Sequence, residues 1–421
     1  MSPWPQHAGM AIQNQTNLAA PPALRLLAAA PHRLLFLVGA SNVLLAMAWW
    51  TLWLINARWP AWVMPQPAIP AGWMHAFVMQ YQVLPTFMFG FLLTVFPRWM
   101  GLSALTRWHY LPVGFGLLGG QALTLVGLFG VPHLLFLGLL QTLAGWIAGY
   151  VLLLNLLWRE QKQTTWHAVS CLGALTMGLV GLGLVFAYLY TGNLRLMFAA
   201  IKFGGFGLLL PIYFTVAHRM FPFFAGNAVR DYQPWRPLAL LGLFWGLDLL
   251  HLGLELIHGY AWLWLADIPM MLLTGIWLWR SWPGSRSPPL LRVLFIGFAW
   301  LPMAMALYSL QSLWFALDGN FILGRAPAHA LFVGFFGSLL VAMVTRVTQG
   351  HSGRPLELGR VAGLAFVLMQ LVAILRIVAE LTSDPMKWQV LAGLGWLLAF
   401  LPWVLRSGWI YLTPRADGQP G

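Results

Sequence analysis

Long apolar runs alternate with short polar connections along almost the whole chain. They lie near 34–55, 73–96, 111–129, 134–157, 168–190, 196–217, 236–257, 260–280, 290–310, 327–346, 358–380 and 388–411. A helix needs about 20 apolar residues to cross the roughly 30 Å hydrocarbon layer, and these runs have that length. The pattern predicts an all-α, polytopic transmembrane bundle of about twelve helices. Residues 1–33 read as an N-terminal segment, 34–411 as a single transmembrane domain and 412–421 as a tail. The connections are too short for a soluble domain, and no short-period repeat is evident. No small-residue cleavage signal follows the first run, so it reads as an anchor.

Composition supports lipid as the solvent. Hydrophobic residues make up 60% of the 421 positions and charged ones 8%, against about 25% charged in soluble domains. The 25 Trp suit two bilayer interfaces and the 43 Gly suit close helix packing. The net charge of +13 is spread singly over loops, which excludes a nucleic-acid surface. Alternate loops carry very different amounts of it. One set has seventeen Lys and Arg, and the other has Arg58, Arg195, Arg325 and Lys387. The positive-inside rule then puts both termini in the cytoplasm. Cys171 is the single cysteine, so an intrachain disulfide and a four-thiolate cluster are both excluded.

Ionisable groups inside the apolar runs mark candidate chemistry. On the assigned orientation, His7, His32, His109, His133, His167, His218 and His351 fall in loops or at interfaces, where they are expected to titrate in water. His75, His251, His258 and His329 fall in the periplasmic half. His75 and His329 each sit about one turn into a helix running inward, so their depths match. Two neutral imidazoles on facing helices can ligate one haem iron from opposite sides. Gly334 and Gly337 would thin the helix wall beside a porphyrin, and Arg325 would meet a propionate. Two interfacial histidines bonded to backbone or water fit the same residues.

In LDLLHLGLELIHG, Asp248, His251, Glu255 and His258 form one helical stripe, with Asp267 on the next helix. Imidazole and carboxylate at this spacing suit copper or iron, which makes His251, Glu255 and His258 candidate metal ligands. A proton path and a solvated groove wall are the competing readings. Lys202 is close enough to a helix start to snorkel, and Arg376 can pair with Glu380 at i, i+4. The segment GHSGRPL allows a tight turn after the tenth helix through Gly350 and Gly353. Arg346, His351 and Arg354 would then gather on the cytoplasmic face, to brace loops or to hold an anion, a headgroup or a quinol.

Three segments resemble the NnrS family. HALFVGFFGSLLVAMVTRVTQGHSGRPL matches its signature through His329, Gly334, Gly337, Met343, Arg346, Gly350, His351, Gly353, Arg354 and Pro355. HAFVMQYQVLPTFMFGFLLTVFPRWMG is similar to the family's early-helix motif at His75, Gly90, Phe91, Leu92, Leu93, Thr94, Pro97 and Trp99. HRMFPFF is similar to a third at Arg219, Pro222, Phe223 and Phe224. Phe77 and Val78 stand where many members carry a second His and a Glu, which shifts the burden to His75. The resemblance implies a bacterial inner-membrane protein associated with haem and copper, and a role in resisting nitric oxide or nitrosative stress. A haem protein that binds nitric oxide or takes electrons from quinol or another donor is the expected function. The reaction, if any, is left open. A secondary transporter or metal-handling protein and an assembly factor for a respiratory complex are the alternatives.

Overall fold

The computed structural model of the protein describes residues 23–60, 62–159 and 165–419. His7 and Lys162 lie outside the described residues. Among the described residues, a short helical turn at Ala23–Leu27 is followed by twelve long helices in the predicted order. They are α1 Pro31–Arg58, α2 Ala71–Met100, α3 Arg107–Gly127, α4 Pro132–Trp158, α5 Trp166–Thr191, α6 Leu194–Ala228, α7 Leu238–Leu256, α8 Trp264–Ser281, α9 Pro289–Asp318, α10 Ala326–His351, α11 Gly359–Ala379 and α12 Pro385–Tyr411. Among the described residues there is no strand. All but α8 are long and apolar enough to cross a membrane. Helix α8 spans 18 residues and carries Asp267 in its first turn and Arg280 in its last.

Local chemistry fixes the ends. Proline stands at the first helical position of α1, α4, α9 and α12, where its missing N–H costs nothing. Gly101, Gly192 and Gly319 end α2, α5 and α9 with φ near +70°, a conformation that disfavours a Cβ. Several helices outrun the apolar runs. Helix α6 continues through HRMFPFFAGNA to Ala228. Helix α10 continues to His351, so Gly350 lies inside it and the turn is made at Gly353, φ +67°.

Contacts between chain-distant helices define two faces. Arg33 of α1 donates to the carbonyls of Tyr411 and Thr413, and the Ala416 amide donates to Ser352 after α10. These groups mark the terminal face. Arg58 and Asp384, at the other ends of α1 and α12, pair at 2.9 Å on the distal face.

Helices α2, α6 and α10 meet in the middle of the bundle. Tyr81 donates to the Ala200 carbonyl, Gly204 packs on Gln80 and Gly205 packs on Phe332. Each of the three contains a stretch of wide, π-helical backbone, at Val78–Val83, Phe203–Leu209 and Ala330–Gly337. In α2 and α6 the wide turn runs into Pro85 and Pro211, which have no N–H to donate. The Tyr81 carbonyl, four residues before Pro85, accepts instead from the Trp146 indole at 2.8 Å. The three segments fall in the second helix of each successive set of four. His75, Lys202 and His329 stand just before or at their starts, 127 residues apart in both intervals. A long-period, threefold organisation is therefore present that the sequence does not display. On the terminal side of the wide turns, an apolar cavity of about 70 Å³ lies among Phe87, Phe91, Tyr213, Phe221, Leu340 and Met343.

Candidate functional site

At the distal face, α10 starts at Ala326 with Pro327 and His329 in its first turn. The His329 Nδ1 lies 2.9 Å from the Arg325 carbonyl, which accepts only, so Nδ1 carries the proton and Nε2 keeps its lone pair. Arg376 of α11 brings Nη2 to 3.0 Å from that Nε2 and 3.3 Å from Glu380 Oε1. Its Nη1 is buried with no hydrogen-bond partner. Glu380 Oε2 accepts from the Arg325 amide at 3.3 Å. His75 of α2 lies within electrostatic reach of His329, Arg376 and Arg325. Its ring stacks on Trp50 of α1 at 4.5 Å and 6°, and Trp50 stacks on Trp53. The structure thus brings His75, His329 and Arg325 into one neighbourhood. It adds Arg376, which sequence reasoning paired with Glu380 alone.

Gly334 and Gly337 serve different neighbours from those expected. A Cβ on Gly334 would fall 2.5 Å from the Trp300 indole, and one on Gly337 would fall 2.7 Å from the Met369 methyl. The thinned wall of α10 is filled by α9 and α11.

The α7 stripe divides. Asp248, His251 and Glu255 are buried and face α6 and α8. His251 Nδ1 is 2.6 Å from Asp267, and Lys202 Nζ is 2.8 Å from Glu255, so Lys202 is paired inside the bundle rather than snorkelling. His258 lies past the helix end with φ +58°, exposed, its Nδ1 2.8 Å from the Tyr260 hydroxyl. The turn at the end of α7 swings it away from the stripe. Among the described residues, no group of three or more His, Cys, Asp or Glu is arranged to hold a metal ion. That includes His251, Glu255 and His258.

The terminal face corrects the expectation for three histidines. His32, His167 and His218 are buried rather than water-exposed. His167 Nε2 and His218 Nδ1 lie 3.0 Å apart, and His32 lies against His351 with centroids 4.5 Å apart. Local sequence misses this because each pair joins residues distant in the chain. Arg346, His351 and Arg354 point to three different helices. Arg346 lies over Phe224 of α6 at 4.1 Å, Arg354 over Trp409 of α12 at 5.3 Å, and His351 meets α1. Arg219 of α6 lies over Trp99 of α2 at 4.3 Å. The three motif segments therefore brace one another across α2, α6 and α10 through guanidinium–aromatic contacts.

No curated protein sequence matches the chain at a significant level. A family model described as NnrS protein matches residues 26–415, nearly the whole chain. The protein belongs to the NnrS family.

Proposed function

We propose that this is a multi-pass protein of the bacterial inner membrane that binds haem between His75 and His329 and protects against nitric oxide or nitrosative stress. The observation that carries the reading is that His329 Nδ1 faces the Arg325 carbonyl while the half-buried Arg376 beside it keeps one nitrogen without a hydrogen-bond partner; Arg376 Nη2, 3.0 Å from His329 Nε2, would have to turn from that nitrogen for it to meet a metal. A metal-bound imidazole characteristically donates its other N–H to a carbonyl or carboxylate, as His329 does to Arg325. The cluster holds two guanidiniums and one carboxylate, and that excess of positive charge suits the carboxylates of a porphyrin. These residue types support the haem reading. The packing of Trp300 and Met369 keeps a macrocycle off the Gly334 and Gly337 side of α10.

A haem held by both imidazoles would supply one-electron redox chemistry. Arg376 and Arg325 would orient it, Glu380 would hold both arginines in register, and Trp50 would fix the His75 ring. Electrons would come from quinol in the bilayer or from another donor, and copper is a second metal in keeping with the family. The terminal face would lie in the cytoplasm, because the arginine-rich loops are on it. The test is a reduced-minus-oxidised spectrum of the purified full-length protein. A haem signal that falls in both His75→Ala and His329→Ala is expected. Iron-free protein from haem-replete cells, or variants with undiminished haem, would overturn the reading.

A further inference from the structure

The apolar cavity where α2, α6 and α10 meet has no part in the haem reading. It lies on the terminal side of the wide turns, whereas His75 and His329 lie on the distal side. Its volume is about 70 Å³, and all three helices supply walls: Phe87 and Phe91 from α2, Tyr213 and Phe221 from α6, Leu340 and Met343 from α10. Tyr213 is the one side chain of the lining that carries a hydroxyl. Its ring is held by Phe336 and Phe335 of the α10 wide turn, with centroids 4.7 and 5.9 Å away. Tyr81, Tyr110 and Tyr411 engage their hydroxyls in hydrogen bonds. The Tyr213 hydroxyl makes none with any described residue.

Size and polarity select the occupant. One buried water needs about 10–15 Å³, so the cavity has room for more than one. Each water also needs roughly two to four polar partners, and the lining offers a single hydroxyl. Water is therefore poorly held. A charged ligand is excluded as well, because no Lys, Arg, His, Asp or Glu lines the cavity and an unpaired buried charge is costly. Left empty, the void costs stability in proportion to its volume. An apolar cavity of about 150 Å³ takes benzene or xenon, so about half that volume suits a molecule smaller than a six-membered ring.

We propose that the central cavity binds a small uncharged molecule, of the size of a dissolved gas, that accepts one hydrogen bond from the Tyr213 hydroxyl. A mostly apolar lining with one placed polar group is the usual composition of a small-molecule site. Phe87, Phe91 and Phe221 give the chamber its shape, and the thioethers of Met88 and Met343 adapt to what enters. Ala217 of α6, also in the lining, keeps the space open, because a longer side chain there would occupy it. The site needs neither haem nor its ligands.

Crystals of the full-length protein pressurised with xenon, and separately with nitrous oxide, test it. Xenon reports the apolar space, and nitrous oxide adds an acceptor atom. An anomalous xenon peak among Phe87, Tyr213 and Leu340 is expected in the wild type and in Tyr213→Phe, and none in Ala217→Leu. Val344→Phe is a second filling variant where Ala217→Leu does not fold. Nitrous oxide affinity, read from occupancy against gas pressure, is expected to fall about fivefold in Tyr213→Phe, the scale of one lost neutral hydrogen bond. The xenon peak is expected unchanged in His329→Ala, so the haem reading can fail while this one stands. No xenon peak in the wild type, a peak that survives in the filling variant, or equal nitrous oxide affinity in the wild type and Tyr213→Phe would each overturn the proposal.

Discussion

Removing Glu255 while keeping Lys202 gives a quantitative test of how the bundle tolerates its internal charges. The Glu255 side chain is 3% exposed and Lys202 Nζ lies 2.8 Å from it. Breaking a buried ion pair on one side costs about 3–5 kcal/mol, because the surviving charge stays desolvated. In Glu255→Ala the survivor is Lys202, whose 23% exposure lets the ammonium reach the interface. The expected loss is therefore at the lower end, about 3 kcal/mol. In Lys202→Met the survivor is the more deeply buried carboxylate, and the loss moves toward about 5 kcal/mol. In Lys202→Met/Glu255→Leu both charges are gone and apolar side chains refill the space. That double variant is expected within about 1 kcal/mol of the wild type, since replacing a whole buried pair is commonly near neutral. Reversible unfolding in mixed micelles, followed by tryptophan fluorescence, reads all three. Additive losses in the double variant, or a Glu255→Ala loss under about 1 kcal/mol, would refute the reasoning and make the pair an exposed one.

Three further outcomes follow from other parts of the molecule. Gly116→Ala puts a Cβ 2.4 Å from the Gly145 backbone of the facing helix. It should destabilise by about 1–3 kcal/mol, whereas Gly246→Ala, which meets nothing within 4 Å, should leave the thermal midpoint in place. Cys171 is buried, so the wild type should resist maleimides. An impermeant maleimide added to intact cells should label Asp318→Cys and not Arg286→Cys if the distal face is periplasmic. The Asp417 carboxyl is held down to about 2 by its hydrogen bond from Arg415, which also donates to the His351 carbonyl. A depressed carboxyl stabilises the docked tail above its unfolded value of about 3.9. That contribution disappears as the pH falls through about 2. Amide exchange across 412–419 should then be protected at pH 5 and lose that protection near pH 2, and protection unchanged over that window would contradict it.

The bundle was legible in the sequence because lipid enforces a simple rule, an apolar run long enough to span. Helix α8 is the borderline element, since Asp267 and Arg280 sit inside its 18 residues and lower its apolarity. Helix ends were less legible. The last turns of α6 and α10 are held by contacts such as Arg346 on Phe224, which a run of hydropathy does not register. Matched depth in the sequence places His75 and His329 near one another, and in the structure the two lie within electrostatic reach, with the His75 ring stacked on Trp50. In sequence Arg376 shows only its i+4 neighbour Glu380, while His329, which it also meets, is 47 residues away. The threefold organisation was hidden because backbone width, not residue identity, repeats: His75, Lys202 and His329 are the equivalent positions. The roles given to Gly334 and Gly337 failed for a similar reason. A glycine announces a close approach but not what approaches, and here it is Trp300 and Met369.

The most direct test of the account is low-temperature electron paramagnetic resonance of the oxidised, purified protein. Ligation by two imidazoles predicts a low-spin ferric haem signal in the wild type that converts to high spin, or is lost with the haem, in His75→Ala and in His329→Ala. A spectrum with no haem iron, or a low-spin signal unchanged in both variants, would contradict it.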